Sequence, residues 1–206
     1  MNLENYYACF ESVVPSRICD NIIADAEQRV IETAITGEYK EAPTDQKDIS
    51  KLYKTRNSSI VWMNDPWIYR EILPYVKEAN KICNWNFEYY APESCQFTKY
   101  SESQHYTWHQ DSWGKPYNKP GDSIHGLIRK LSVTVSLEDG DKYEGGDLEF
   151  DIRNNSDSTS NIQKSDIARK KGSVIVFPSF VWHRVTPVTS GTRYSLVIWN
   201  CGPPFK

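Results

Sequence analysis

The 206-residue sequence has only two methionines and four histidines, so imidazole chemistry has few places to sit. No apolar run approaches the ~20 residues that span a bilayer, and the start Met-Asn-Leu-Glu-Asn-Tyr-Tyr has neither the basic residues nor the apolar stretch of a secretory leader. The five cysteines (Cys9, Cys19, Cys83, Cys95 and Cys201) are odd in number and never in C-x-x-C spacing. That usage speaks against a thiolate zinc site and for reduced thiols, so the expected compartment is the cytoplasm, with no membrane partner. A formal charge of −3 and dispersed basic residues give no general field for nucleic acid or anionic lipid. Repeats and heptads are also lacking. What is plentiful is aromatic: seven Trp, thirteen Tyr and seven Phe supply core volume that Leu and Met would otherwise provide. The length suits one domain, 1–206, able to bury roughly 70% of its unfolded surface without a metal or disulfide staple.

The first part, 1–84, reads as mainly helical support and 85–206 as a β core. Ser16 caps a segment with Ile18, Ile22, Ile23, Ala26 and Val30 at helical spacing, ended by Gly37. The polar stretch Glu41 to Ser50 reads as a loop, and Ser58 to Met63 as extended. Asn64-Asp65-Pro66 starts a helix to about Asn84, with a kink or break at Pro74. Strands are expected at Trp85–Ala91, Cys95–Ser101, Tyr106–Asp111, Leu131–Glu138, Asp147–Asp151, Ser173–Pro178 and Arg193–Cys201. Two connectors stand out: Ser112 to Lys130, rich in Gly and Pro, and Asn154 to Asn161, almost entirely polar. The first follows the residues of greatest chemical interest, where a loop of that length suits a lid.

His109 and Asp111 stand two apart in Tyr-Thr-Trp-His-Gln-Asp; on a strand, that spacing puts imidazole and carboxylate on one face. Alone, the pair also fits a surface histidine beside a strand-end acid. His183 follows an apolar strand and a Pro turn in Phe-Pro-Ser-Phe-Val-Trp-His-Arg-Val, where a backbone-satisfied core histidine is the plainer reading. Arg193 opens the apolar strand Arg-Tyr-Ser-Leu-Val-Ile-Trp, where a guanidinium is costly unless it holds an anion or a structural carboxylate. Two imidazoles and one carboxylate can hold a metal such as Fe(II) on one face and leave positions open. A buried guanidinium beside them suits the carboxylate of a bound anion.

From these residues the sequence resembles the prolyl-4-hydroxylase-like 2-oxoglutarate/Fe(II) oxygenases, and among them the PKHD-type hydroxylases of bacteria and phages. The resemblance covers about Cys95 to Lys206. It rests on H-x-D, on His183 with Arg193 ten residues later, and on Gly145-Gly146-Asp147-Leu148. Gly191-Thr192-Arg193-Tyr194-Ser195 and Trp199 complete it. It implies an α+β fold: a double-stranded β-helix (jelly roll) with N-terminal helices packed on one sheet. It implies metal ligands His109, Asp111 and His183, and co-substrate contacts from Arg193, Tyr100, Ser195, Trp199 and Tyr106. Fe(II), 2-oxoglutarate and O2 would serve the reaction, with ascorbate as reductant, in a bacterial or phage-infected cell. The implied reaction is hydroxylation of an aliphatic C–H, in a prolyl residue of a protein or peptide, with succinate and CO2 released. The family writes Gly where this sequence has Ser103, a departure that disfavours a left-handed turn there. Two other classes keep the same ligands: a non-catalytic cupin-like metal and anion binder, and a nucleic-acid demethylase. The second needs a basic aromatic groove that the dispersed charge does not supply. His105 and His125 read as loop residues, and Trp113 and Tyr117 as loop aromatics beside the mouth.

Overall fold

A computed structural model of the chain describes every residue except 1, 2, 4, 38, 40, 113, 153–160 and 206. In chain order the elements are β1 (Ala8–Phe10), α1 (Ser16–Glu27), β2 (Glu32–Thr33), α2 (Gln46–Thr55), β3 (Arg56–Asn57), β4 (Ser59–Met63) and α3 (Pro66–Ile82). There follow β5 (Ala91–Pro92), β6 (Cys95–Tyr100), β7 (His105–His109), β8 (Ile128–Ser136), β9 (Tyr143–Gly145), β10 (Leu148–Asp151) and β11 (Ile162–Lys164). The last are β12 (Val174–Pro178), β13 (Trp182–Val185), β14 (Val188–Gly191) and β15 (Arg193–Gly202). The major sheet runs β1-β12-β8-β15-β6-β4-β2, with β5 added on β15; the minor sheet runs β11-β10-β13-β7-β3. Neighbours pair antiparallel throughout, and the two sheets face each other as a jelly roll.

Period-two alternation divides the major sheet between two tasks. On β15, Leu196 and Ile198 point outward into the main core, where α1 and α3 cover them with Ile18, Ile22, Ile68, Ile72 and Val76. The residues between, Arg193, Ser195, Val197 and Trp199, point inward and line a cavity between the sheets. The expected helices on one sheet are therefore present. No helix among the described residues is long and apolar enough to cross a membrane.

Several local expectations are corrected. Helix α1 stops at Glu27, well before Gly37, and Val30 is 81% exposed; the chain leaves the helix to pair β2 with β4. Within Glu41 to Ser50 a helix begins, capped by Asp45, whose side chain accepts from the Lys47 and Asp48 amides. Its only fully buried side chain is Leu52, too little apolar periodicity to announce a helix. This helix packs chiefly on β3 and β7 of the minor sheet. Helix α3 runs unbroken through Pro74 because Ile72, Val76 and Ala79 are fully buried around it. Trp85–Ala91 is not a strand: Asn84 and Asn86 take left-handed backbone, and pairing begins only at Ala91. The Asn154 to Asn161 connector lies, but for Asn161, outside the described residues.

Ser103 does adopt left-handed backbone, with φ 67°, and its amide donates to the Val188 carbonyl at 2.7 Å. The turn geometry is thus kept by a residue that disfavours it. Ser103→Gly is expected to stabilise the fold by about 1 kcal/mol, read as a rise in thermal midpoint; an unchanged or lowered midpoint would show that the turn carries no such strain.

Candidate metal and anion site

His109 ends β7 and His183 lies on β13, directly opposite it in the antiparallel register. His183 therefore occupies a strand of its own rather than the end of a turn. Strand β7 stops at His109, so Asp111 falls just beyond it, contrary to the single strand expected there; its amide donates to the Ser179 carbonyl at 2.8 Å. The three side chains nevertheless converge: their ligand atoms all lie within 4.8 Å of one another. His109 Nε2 is 3.6 Å from Asp111 Oδ1, and His183 Nε2 is 3.6 Å from Oδ2.

Each imidazole is set by a backbone carbonyl. Nδ1 of His109 lies 2.8 Å from the Thr107 oxygen and Nδ1 of His183 3.0 Å from the Val181 oxygen. A carbonyl only accepts, so Nδ1 carries a proton in both rings and Nε2 is the atom that each turns toward the carboxylate. Burial and the neighbouring His183 hold His109 down to about 3, so it is neutral at ordinary pH. Burial pushes the Asp111 carboxyl up, but His183, His109, Arg129 and the Ser132 hydroxyl outweigh it and hold it at about 2. Ser132 Oγ donates to Asp111 Oδ2 at 2.7 Å. An ionised buried carboxylate facing the lone pair of the neutral His109 ring is a repulsive arrangement that a divalent cation relieves. Two nitrogens and one oxygen suit Fe(II).

The cavity holding these ligands measures about 540 Å³, within the range of small-molecule sites. On its major-sheet wall Arg193, 2% exposed, donates to Ser195 Oγ at 3.0 Å and makes no ion pair among the described residues. Its guanidinium lies 5.4 Å from the Tyr100 ring centroid, and the two residues are cross-strand partners. Gly146 makes room for it: a Cβ there would sit 3.0 Å from Arg193 Cδ. Trp199 also lines the cavity, with its buried Nε1 unpaired among the described residues. Tyr106 stacks on His109 at 3.5 Å, 13° from parallel. All eight residues singled out from the sequence thus line this cavity.

The sequence reading missed three polar residues of the wall. Arg129 pairs with Glu93 through two bonds of 2.7 Å and stacks on Trp199 at 3.8 Å. Arg56 lies over Tyr106 at 4.6 Å. Arg129 stands near the start of the buried strand β8, where, as at Arg193, a guanidinium is costly without an anion, so its position was a legible signal. Tyr117, from the loop after Asp111, donates to Glu93 at 2.9 Å and lines the cavity; Trp113 lies outside the described residues. His125 is an exposed turn residue that accepts from the Lys119 amide, whereas His105, expected in a loop, is half-buried as the first residue of β7 because it pairs with Asn57, and it reaches the Ser103 and Lys54 carbonyls.

Residues 95–201 match the model of the 2OG-Fe(II) oxygenase superfamily. A PKHD-type hydroxylase of Synechococcus sp. (strain CC9605) is 35% identical over 99 residues, which are 48% of this chain and 37% of that protein. A similar one of Alteromonas mediterranea is 32% identical over 103 residues, covering 50% and 41%; the match thus spans about two fifths of these relatives' length. Among solved structures, a viral collagen prolyl hydroxylase from Paramecium Bursaria Chlorella virus-1 has a TM-score of 0.63 at 20% identity, covering 97% of each chain. A Trichoplax adhaerens prolyl hydroxylase, solved with a peptide fragment of hypoxia inducible factor, has a TM-score of 0.62 at 14% identity, covering 96% of this chain and 84% of its own. The solved structures share the jelly-roll fold, and the matched span takes in the H-x-D pair, His183 and Arg193: this chain belongs to the 2OG-Fe(II) oxygenase superfamily.

Proposed function

We propose that the protein is a dioxygenase that couples conversion of 2-oxoglutarate to succinate and CO2 with hydroxylation of an aliphatic C–H in a prolyl residue of a polypeptide. The observation that carries this reading is the meeting, in one cavity, of a His-Asp-His ligand set with an ionised carboxylate and a buried guanidinium that has no carboxylate partner among the described residues. Bound Fe(II) would supply O2 activation and C–H oxidation, with ascorbate as reductant. His109 and His183 would hold it through Nε2 and Asp111 through its carboxylate, while Thr107, Val181 and Ser132 keep those groups aimed. Arg193 takes the distal carboxylate of 2-oxoglutarate, with Tyr100 beside it. Ser195 Oγ fixes the guanidinium, Tyr106 steadies the His109 ring, and Trp199 offers an unused donor. The polypeptide substrate is supported by the solved neighbours, a collagen prolyl hydroxylase and the Trichoplax adhaerens prolyl hydroxylase with its bound peptide fragment.

His109→Ala or Asp111→Ala is expected to abolish both Fe(II) binding and succinate formation; full turnover in either would remove the metal assignment. Arg193→Met removes a charge-assisted pair and should raise the 2-oxoglutarate requirement at least a hundredfold, about 2.7 kcal/mol. Iron binding without the keto acid should barely change, whereas its loss would make Arg193 a structural residue. The loop after Asp111 serves as a lid pinned by Tyr117 to Glu93. Replacing Lys115 to Ser123 with a short Gly-Ser linker should keep iron and 2-oxoglutarate binding but uncouple succinate formation from product, read as a missing gain of one oxygen by mass spectrometry. Unchanged coupling would make the loop a plain connector.

A further inference from the structure

The cavity contains more positive charge than its cofactors can use. Among the described residues its lining carries four cationic side chains (Arg56, Arg129, Arg193 and Lys119) against two carboxylates, Glu93 and Asp111. Fe(II) and the 2-oxoglutarate dianion cancel each other, so loading both leaves the lining's surplus of two positive charges in place. Arg129 is already matched by Glu93. Arg193 is assigned to the distal carboxylate of 2-oxoglutarate. Lys119 is exposed, where solvent screens it.

Arg56 remains. It is 6% exposed, on the short edge strand β3 of the minor sheet, opposite Tyr106. Its Nε donates to Ser58 Oγ at 3.1 Å and its Nη2 to Gln96 Oε1 at 2.6 Å, both neutral acceptors. Among the described residues no carboxylate pairs with it and its Nη1 makes no hydrogen bond. Its face lies 4.6 Å over Tyr106, whose ring is itself 3.5 Å from His109. A guanidinium, a phenol and a metal-ligand imidazole therefore form one stack, which places the cation two rings from the metal ligands. A buried guanidinium with neutral partners is expensive unless an anion completes it, and the open side of this one is the cavity.

We propose that Arg56 binds a carboxylate of the prime substrate, so that the hydroxylated group is presented by an acidic molecule. This rests on the 2-oxoglutarate oxygenase reading and adds to it the charge of what is hydroxylated. The carboxylate comes either from an acidic side chain in a polypeptide or from the free carboxyl of a terminal residue. Gln96 is the positioning residue, since its Oε1 holds Nη2 and turns the remaining donors to the cavity.

The test uses the full chain loaded with Mn(II) in place of iron and with saturating 2-oxoglutarate, so that no turnover occurs. Proton relaxation by Mn(II) then reports which added molecules sit beside the metal. Two probe pairs differ only in charge: N-acetylglutamate N-methylamide against its glutamine counterpart, and N-acetylproline against N-acetylprolinamide. The acid of at least one pair should be relaxed at least about fivefold more than its amide, as expected for a charge-assisted contact. A preference in the first pair identifies a side-chain carboxylate and in the second a terminal one. Arg56→Gln should erase the preference, and so should Gln96→Glu, which keeps the guanidinium but gives it an internal counter-ion. Gln96→Glu also covers the case in which Arg56→Gln does not fold. Equal relaxation of acid and amide in both pairs, or a preference that survives Gln96→Glu, overturns the proposal. So does loss of the 2-oxoglutarate signal as the acid is added, which would place the acid on Arg193. Failure of the underlying reading looks different: 2-oxoglutarate itself would then show no relaxation by the bound metal.

Discussion

The site depends on keeping one carboxylate ionised where burial opposes it. Asp111 is buried between two sheets, and its charge survives through the facing His183 and His109, the positive potential from Arg129 and the Ser132 hydroxyl. Ser132 belongs to β8 of the major sheet, whereas His109 and His183 stand on β7 and β13 of the minor sheet. The hydrogen bond to Asp111 therefore ties the two sheets together at the ligand atoms. Everything else in the cavity is arranged around that junction.

The fold was legible from the sequence where physical rules leave few options. Four histidines in the whole chain made the H-x-D pair and His183 conspicuous. Arg193 was legible because an ionised side chain at the head of an apolar strand requires an explanation. The central major-sheet strands were legible because their composition is unmistakable: Val-Ile-Val-Phe runs unbroken through β12, Leu-Val-Ile-Trp through the middle of β15, and Leu131, Val133 and Val135 alternate with Ser and Thr along β8.

What escaped the sequence reading is equally physical. Helix α2 fully buries one side chain, so its amphipathic signal is too weak to separate from a polar loop. Strands β3, β9, β13 and β14 are two to four residues long and are created by their partners rather than by their own composition. The run Trp85–Ala91 has the right rings for a strand, but two asparagines in left-handed backbone turn it away. Arg56 lies forty residues from Gln96, and Glu93 thirty-six from Arg129; only the folded sheets bring such pairs together.

The separation of ligands between sheets makes the cavity a gauge of length. The imidazoles project from the minor sheet and Arg193 from β15, which is flanked on both sides by long partners and is among the least movable strands of the major sheet. A molecule that touches the metal with one end and the guanidinium with the other must span the gap between two packed sheets, about 10 Å between backbones before side chains fill it. Neither end can slide to accommodate a shorter or longer acid. Under the proposed binding mode, discrimination among dicarboxylates of similar charge follows from sheet packing rather than from any single contact.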